Sequence, residues 1–115
     1  VIVTGANSAN GIGRATSHQF ARNGATAVYI CDFNTDLLDI HAREIESLYP
    51  GVKVYARKID AGEEADVKNL VDEVLEKYGR LDIFFANAGI TTGGERILDA
   101  SADNFMKAMR TNALG

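Results

Sequence analysis

The densest chemistry in this chain lies in one short stretch, Thr4-Gly5-Ala6-Asn7-Ser8-Ala9-Asn10-Gly11-Ile12-Gly13. It separates an apolar β-branched run from an amphipathic helical pattern. Glycines at 5, 11 and 13 let the backbone N–H groups of the stretch, including those around Asn10 and Ile12, come close to an anion. The amino end of the following helix adds the positive end of its dipole. The last glycine also permits close approach of helix and strand. This is the chemistry of a diphosphate cradle, although many strand-to-helix turns need glycine for steric reasons alone. A second residue adds weight. Asp32 stands 19 residues beyond Gly13, at the end of the next β-branched run. A carboxylate there can accept both hydroxyl hydrogens of an adenosine ribose. The same charge repels a 2′-phosphate, and Phe33 and Asn34 add no cation to hold one. The pair therefore points to NAD in preference to NADP; the bland reading of Asp32 is a helix cap or a solvated strand end. No Gly-Lys-Ser/Thr follows the loop, which disfavours a nucleoside triphosphate site.

These residues need a scaffold, and the hydrophobic pattern supplies one. Period-2 or continuous apolar runs predict strands over residues 1–4, 26–31, 52–59 and 81–86. Helical spacing predicts helices over 12–23, 36–49 and 63–78, and from Ser101 or Asp103 to about 112. Gly24 and Gly79 end two of them, Pro50 follows the second, and Asn34 or Thr35 is positioned to cap its start. Leu38, Ile45 and Leu48 form the inward stripe of the second helix. The third shows Glu64 with Lys68 and Glu73 with Lys77 at i, i+4. Strands joined by helical crossovers lie parallel, and such crossovers are right-handed. The economical result is an α/β fold, a Rossmann-type doubly wound parallel sheet of order 3-2-1-4. Its chain reversal opens a crevice at the carboxyl ends of the strands.

Composition narrows the function classes. A chain of 115 residues has room for one domain. Its 46% hydrophobic and 24% charged residues suit a packed fold and not a disordered tail. A net charge of −4 argues against nucleic-acid binding. Cys31 is the single cysteine, which suits a reducing compartment, and the cytoplasm is expected. No metal site is expected, because no Cys/His pairing has ligand spacing. No apolar run approaches the ~20 residues of a membrane span. Cys31 reads as a small core hydrophobe, and His18 and His41 read as residues on solvated helix faces.

In this order the landmarks resemble the short-chain dehydrogenase/reductase family, and the similarity runs along the whole chain. Thr4-Gly5 through Gly11-Ile12-Gly13-Arg14-Ala15 resembles the family's TGxxxGxG loop, with five residues between Gly5 and Gly11 where the family has three. Asp32 resembles its NAD-selecting acid. Asp60 resembles the Asp that meets the adenine amino group, followed by Ala61, whose backbone the family uses. Asn87-Ala88-Gly89 resembles the NAG motif that closes the fourth strand. Asn112, in Thr111-Asn112-Ala113-Leu114-Gly115, resembles the helix Asn of the catalytic tetrad; on physical grounds alone nothing singles it out. The resemblance implies an oxidoreductase moving a hydride between nicotinamide and a small alcohol or carbonyl substrate, and often a homo-oligomer. It also places the catalytic Ser, Tyr and Lys beyond residue 115. The expectation is therefore a partial cofactor-binding domain over 1–115, cut at both ends, inactive and poorly folded by itself.

Competing readings attach to several of these residues. Asp60 could cap the helix near Glu63, and Asn87 could be chiefly a hydrogen-bond clamp. Tyr49-Pro50-Gly51-Val52-Lys53 matches the string YxxxK, but Pro50 and Gly51 break the helix on which Tyr and Lys would have to share a face. The loop 91–96 could border a substrate. Two other functions remain open at this stage. One is a nucleotide-binding module without catalysis. The other is a different Rossmann-like enzyme such as a methyltransferase, which would not call for the NAG motif or Asn112.

Overall fold

The computed structural model describes residues 1–91, 94, 96, 98–99 and 101–114. Loop 91–96 and Gly115 therefore lie partly or wholly outside the described residues. The described elements run β1 (Ile2–Thr4), α1 (Ile12–Arg22), β2 (Ala27–Asp32), α2 (Leu38–Leu48), β3 (Lys53–Lys58), α3 (Glu64–Tyr78), β4 (Phe84–Phe85) and α4 (Ala102–Met109), followed by a π-helical turn, Arg110–Leu114. The four strands are parallel in the order β3-β2-β1-β4, with Ile2 facing Tyr29 on one side and Phe84 on the other. This is the doubly wound sheet that the pattern predicts.

Period-2 alternation along β2 builds the two halves of the core. Val28 and Ile30 pack with Val3, Ala21 of α1, and Leu38, Ala42 and Ile45 of α2. Tyr29 and Cys31 turn to the opposite face, against Ile2, Ile59, and Leu70 and Val74 of α3. Strands covered on both faces read as continuous apolar runs, as β1 and β2 do. Burial pushes the Cys31 thiol up to about 12, so it is an inert core group.

Several local expectations are corrected. Neither Asn34 nor Thr35 caps α2: its N-cap is Leu37, without a side-chain cap, and the Leu37 N–H donates instead to Asn7 Oδ1 at 2.9 Å. Leu48 is exposed, outside the stripe formed by Leu38 and Ile45. On α3, Lys68 pairs with Asp72, and Glu73 is taken by Arg57 of β3 at 2.9 Å (Nε to Oε2). A neighbouring strand within bidentate reach of Glu73 outcompetes a weak pair along the helix. Lys77 lies over the Tyr55 ring, 4.3 Å from its centroid. β4 is shorter than expected: only Phe84 and Phe85 pair with β1, and among the described residues no strand lies on their other side. For α4 the open choice resolves to Ser101, whose hydroxyl accepts from Asn104 N–H at 3.1 Å. His41 is buried, not solvated, while His18 is half-buried with its ring edge against Tyr49.

β3 lies at the sheet edge, where unpaired backbone groups invite another strand. Two side chains occupy them. Val54 N–H donates to Glu46 Oε1 at 2.9 Å, and Arg57 Nη1 donates to the Ala56 carbonyl at 2.9 Å. Glu46→Ala should cost about 1 kcal/mol by removing one such bond. It should also raise self-association, whereas Glu46→Gln, which keeps the acceptor, should do neither. Urea unfolding with light scattering checks this; equal behaviour of both variants would refute it.

Among the described residues no helix is long and apolar enough to cross a membrane. Nor does any group of three or more His, Cys, Asp or Glu among them suit a metal ion.

Candidate functional site

At the carboxyl ends of β1 and β2 the chain makes two sharp departures. β1 runs into Gly5, which takes a left-handed conformation with φ +68°. A Cβ there would stand 2.8 Å from the Ala88 Cα and 2.9 Å from Asn87 Nδ2. Ala6 N–H then donates to the Cys31 carbonyl at 3.1 Å, binding the loop to the end of β2. Ser8, Ala9 and Asn10 form an exposed turn closed by Gly11 N–H to the Ser8 carbonyl at 3.1 Å. The lengthened loop is thus absorbed before Gly11. Beyond it α1 starts with Gly11 as a bare N-cap and no acidic residue in its first turn. The N-cap supplies no side-chain hydrogen bond to the first N–H groups of that helix. Gly13 is buried: a Cβ on it would meet the Gly5 carbonyl oxygen at 2.4 Å.

Asn87 ties this loop to β4. Its Nδ2 donates to the carbonyls of Thr4 (3.0 Å) and Gly5 (3.2 Å), while the N–H groups of Asn87 and Ala88 both donate to Thr4 Oγ1 at 3.0 Å. Asn87 is the clamp that the bland reading describes, and it places Ala88 and Gly89 beside Gly5. Thr4 is the residue that sequence reasoning undervalues. Its hydroxyl receives two N–H donors from residues more than 80 positions away, and no local pattern reports that.

Asp32 ends β2 with its carboxylate held by two backbone donors. Asn7 N–H reaches Oδ2 at 2.9 Å and Asn34 N–H reaches Oδ1 at 3.0 Å. A carboxylate offers about four acceptor positions, so roughly one per oxygen is left for a ligand. Asp60 does not cap α3, whose N-cap is Glu63 without a side-chain cap. Its Oδ1 instead accepts from Gly62 N–H at 2.9 Å in a tight local turn, and its own N–H donates to Asp66 Oδ2 at 2.9 Å.

A cavity of 280 Å³ brings these residues together, with Gly5, Asp32, Asp60, Ala61, Ala88 and Gly89 in its wall. Gly11, Ile12 and Gly13 form the start of α1 beside it, Ile12 with its side chain exposed. Asn10 stays on the outside of the Ser8–Asn10 turn and takes no part in the wall. Asn112 sits in the π-helical turn behind Gly89. Its Oδ1 accepts from Ile90 N–H at 2.8 Å and its Nδ2 donates to the Ile90 carbonyl at 2.9 Å. π-turns concentrate at functional sites. A larger hollow of 720 Å³ adjoins, walled by Val67, Val71, Phe84 and Leu114 among others. It lies on the flank of the sheet beside β4 and also includes Thr4, Glu64 and Lys68 in its wall. The Tyr49 to Lys53 string has no shared helix face: Tyr49 ends α2, Gly51 has φ +104°, and Lys53 begins β3.

Comparison with known proteins decides the family. The sequence profile of the short chain dehydrogenases matches residues 1–115. The chain belongs to the short-chain dehydrogenase/reductase family. Among relatives in that family, it is 39% identical over 115 residues to short chain aldehyde dehydrogenase 1 of Euphorbia lathyris, covering 99% of this chain and 38% of that protein. It is 35% identical over 115 residues to an NADP-dependent mannitol dehydrogenase of Alternaria alternata, covering 100% and 42%. The solved structure of NAD+-bound xylitol dehydrogenase superposes with a TM-score of 0.85 at 29% identity, over 97% of this chain and 41% of that one. The chain thus spans about two-fifths of the length of these short-chain dehydrogenases.

Proposed function

We propose that the chain is the NAD(H)-binding portion of an oxidoreductase that transfers a hydride between nicotinamide and a small alcohol or carbonyl compound. One observation carries the cofactor reading: Asp32 projects into the 280 Å³ cavity with each oxygen already held by one backbone donor. The acceptor positions that remain match the two hydroxyl hydrogens of an unphosphorylated ribose. Asp60 and Ala61 would face the adenine. The bare α1 start, with Gly5 and Gly13 keeping Cβ atoms out of the way, suits the diphosphate. Ala88 and Gly89 would border the nicotinamide side. When bound, the cofactor supplies the hydride chemistry, and these residues orient it. Asn112, by resemblance, is the tetrad Asn; here its side chain fixes the backbone of Ile90. A search of the coding sequence after residue 115 for Tyr-x-x-x-Lys on a helix separates this enzyme from a module that only binds nucleotide.

Similar proteins use either cofactor, so the choice falls to this chain's own residues. Arg14, the cation nearest the loop in sequence, is held by both oxygens of Glu44 at 2.7 and 2.6 Å. A second reading, NADP, rests on Lys58. It pairs with Asp32 in the sheet register and lies over the Phe33 ring, 5.6 Å from its centroid. The negative charge of Asp32 weighs against it. In the protein as encoded, Asp32→Ala should weaken NADH binding by about 1–3 kcal/mol, the scale for bonds to a charged acceptor. It should weaken NADPH binding less, or improve it. Fluorescence titration of both cofactors into both proteins tests this, and a wild type that prefers NADPH would refute it.

A further inference from the structure

We infer that His41, buried on α2, is a positioning residue for ribose recognition, acting through Asn7 on Asp32. This rests on the Asp32 reading above. His41 Nε2 lies 3.2 Å from the Asn7 carbonyl oxygen, and its Nδ1 accepts from Arg14 Nε at 3.2 Å. An acceptor on one ring nitrogen and a carbonyl facing the other fix the neutral tautomer with its proton on Nε2. Arg14 is in turn anchored by Glu44, whose carboxyl is held below its usual range chiefly by that hydrogen bond. Arg14 Nη1 also donates to the Ala9 carbonyl at 3.3 Å. Asn7 is therefore gripped at three points: its carbonyl by His41, its side-chain oxygen by Leu37 N–H, and its own N–H against Asp32.

The consequence is geometric. Asn7 sits in the lengthened loop just before the exposed turn, where a chain segment without anchors would drift. Asp32 is oriented by two donors, Asn34 N–H at Oδ1 and Asn7 N–H at Oδ2, and the second is the one that the loop must hold in place. His41 and the Arg14–Glu44 pair hold that donor in place, and so aim the remaining acceptor positions into the cavity. The imidazole is 5% exposed and bonded on both nitrogens, which offsets its desolvation and fixes the ring against Asn7.

The test uses calorimetric titration of the protein as encoded with ADP-ribose and 2′-deoxy-ADP-ribose. His41→Ala should weaken ADP-ribose about tenfold, because the Asn7 donor to Asp32 loses its anchor. It should weaken the compound lacking the adenosine 2′-hydroxyl, which keeps one of the two hydroxyls facing Asp32, clearly less. His41→Gln, which restores a donor toward Asn7, should recover most of the affinity. Glu44→Ala, at a half-exposed position that leaves the core intact, should give the same ligand-selective loss at about threefold, even if His41→Ala folds badly. Equal weakening of both ligands, or none, overturns the proposal and leaves His41 a packing residue. If Asp32→Ala itself leaves ADP-ribose affinity unchanged, the underlying Asp32 reading fails instead.

Discussion

Gly13→Val is expected to abolish cofactor binding and to destabilise the fold by about 3 kcal/mol, at the upper end of the overpacking range. The first added atom would stand 2.4 Å from the Gly5 carbonyl oxygen and 2.9 Å from Asn87 Nδ2. Both neighbours are fixed. Gly5 is held in its left-handed turn, and Asn87 is bonded to the carbonyls of Thr4 and Gly5. Relief requires α1 to move away from β1, which carries the start of the helix out of reach of a diphosphate. Ser8→Gly is the control. Ser8 is exposed on the absorbed turn, so this change should cost within about 1 kcal/mol and bind NADH nearly as wild type does. Thermal unfolding and NADH fluorescence on the two variants check the pair. Equal tolerance of both would show that the loop does not lie against the cofactor.

Asn87→Ala is expected to lower stability by about 2–6 kcal/mol, since two carbonyls lose their donor at about 1–3 kcal/mol each when left unsatisfied. Thr4 is 2% exposed, so water cannot readily replace the amide. The effect should reach function, because Asn87 fixes Ala88 and Gly89 against Gly5 at the cavity wall. Asn87→Asp should be worse than Ala, despite its matching shape. It sets a carboxylate against two carbonyl oxygens and donates nothing to them. Urea unfolding curves for the three proteins give the order. Wild-type stability in Asn87→Ala would mean that the Thr4 hydroxyl alone holds β4 in register.

Much of the architecture is legible in the sequence because the signals that encode it are local. The apolar, β-branched run at 26–31 marks a buried strand, and glycine at 24 and 79 marks where helices must stop. The strand order follows from crossover handedness, and Asp32 is found because strand end and spacing coincide. Even the extra loop length is readable, since Gly11 and Gly13 keep their relation to the helix start.

What the sequence could not reveal depends on elements meeting across long separations. Nothing near position 41 marks His41 as buried; α1 must cross α2 before Arg14 can reach it. The Glu73–Lys77 spacing fits a helix pair, yet Arg57 on a different strand offers the stronger bidentate geometry and takes Glu73. β4 reads as six residues of apolar strand but pairs over two, and among the described residues its partner is the three-residue β1. Thr4 and Asn87 look ordinary one by one. Only the closing of β4 onto β1 brings two N–H groups to one hydroxyl and one amide to two carbonyls, and so shapes the cavity. By itself the sequence determined which elements form, their order in the sheet and the acid at the strand end. The tertiary structure decided which polar groups find each other, because a hydrogen bond is set by position in space and leaves no periodic trace along the chain.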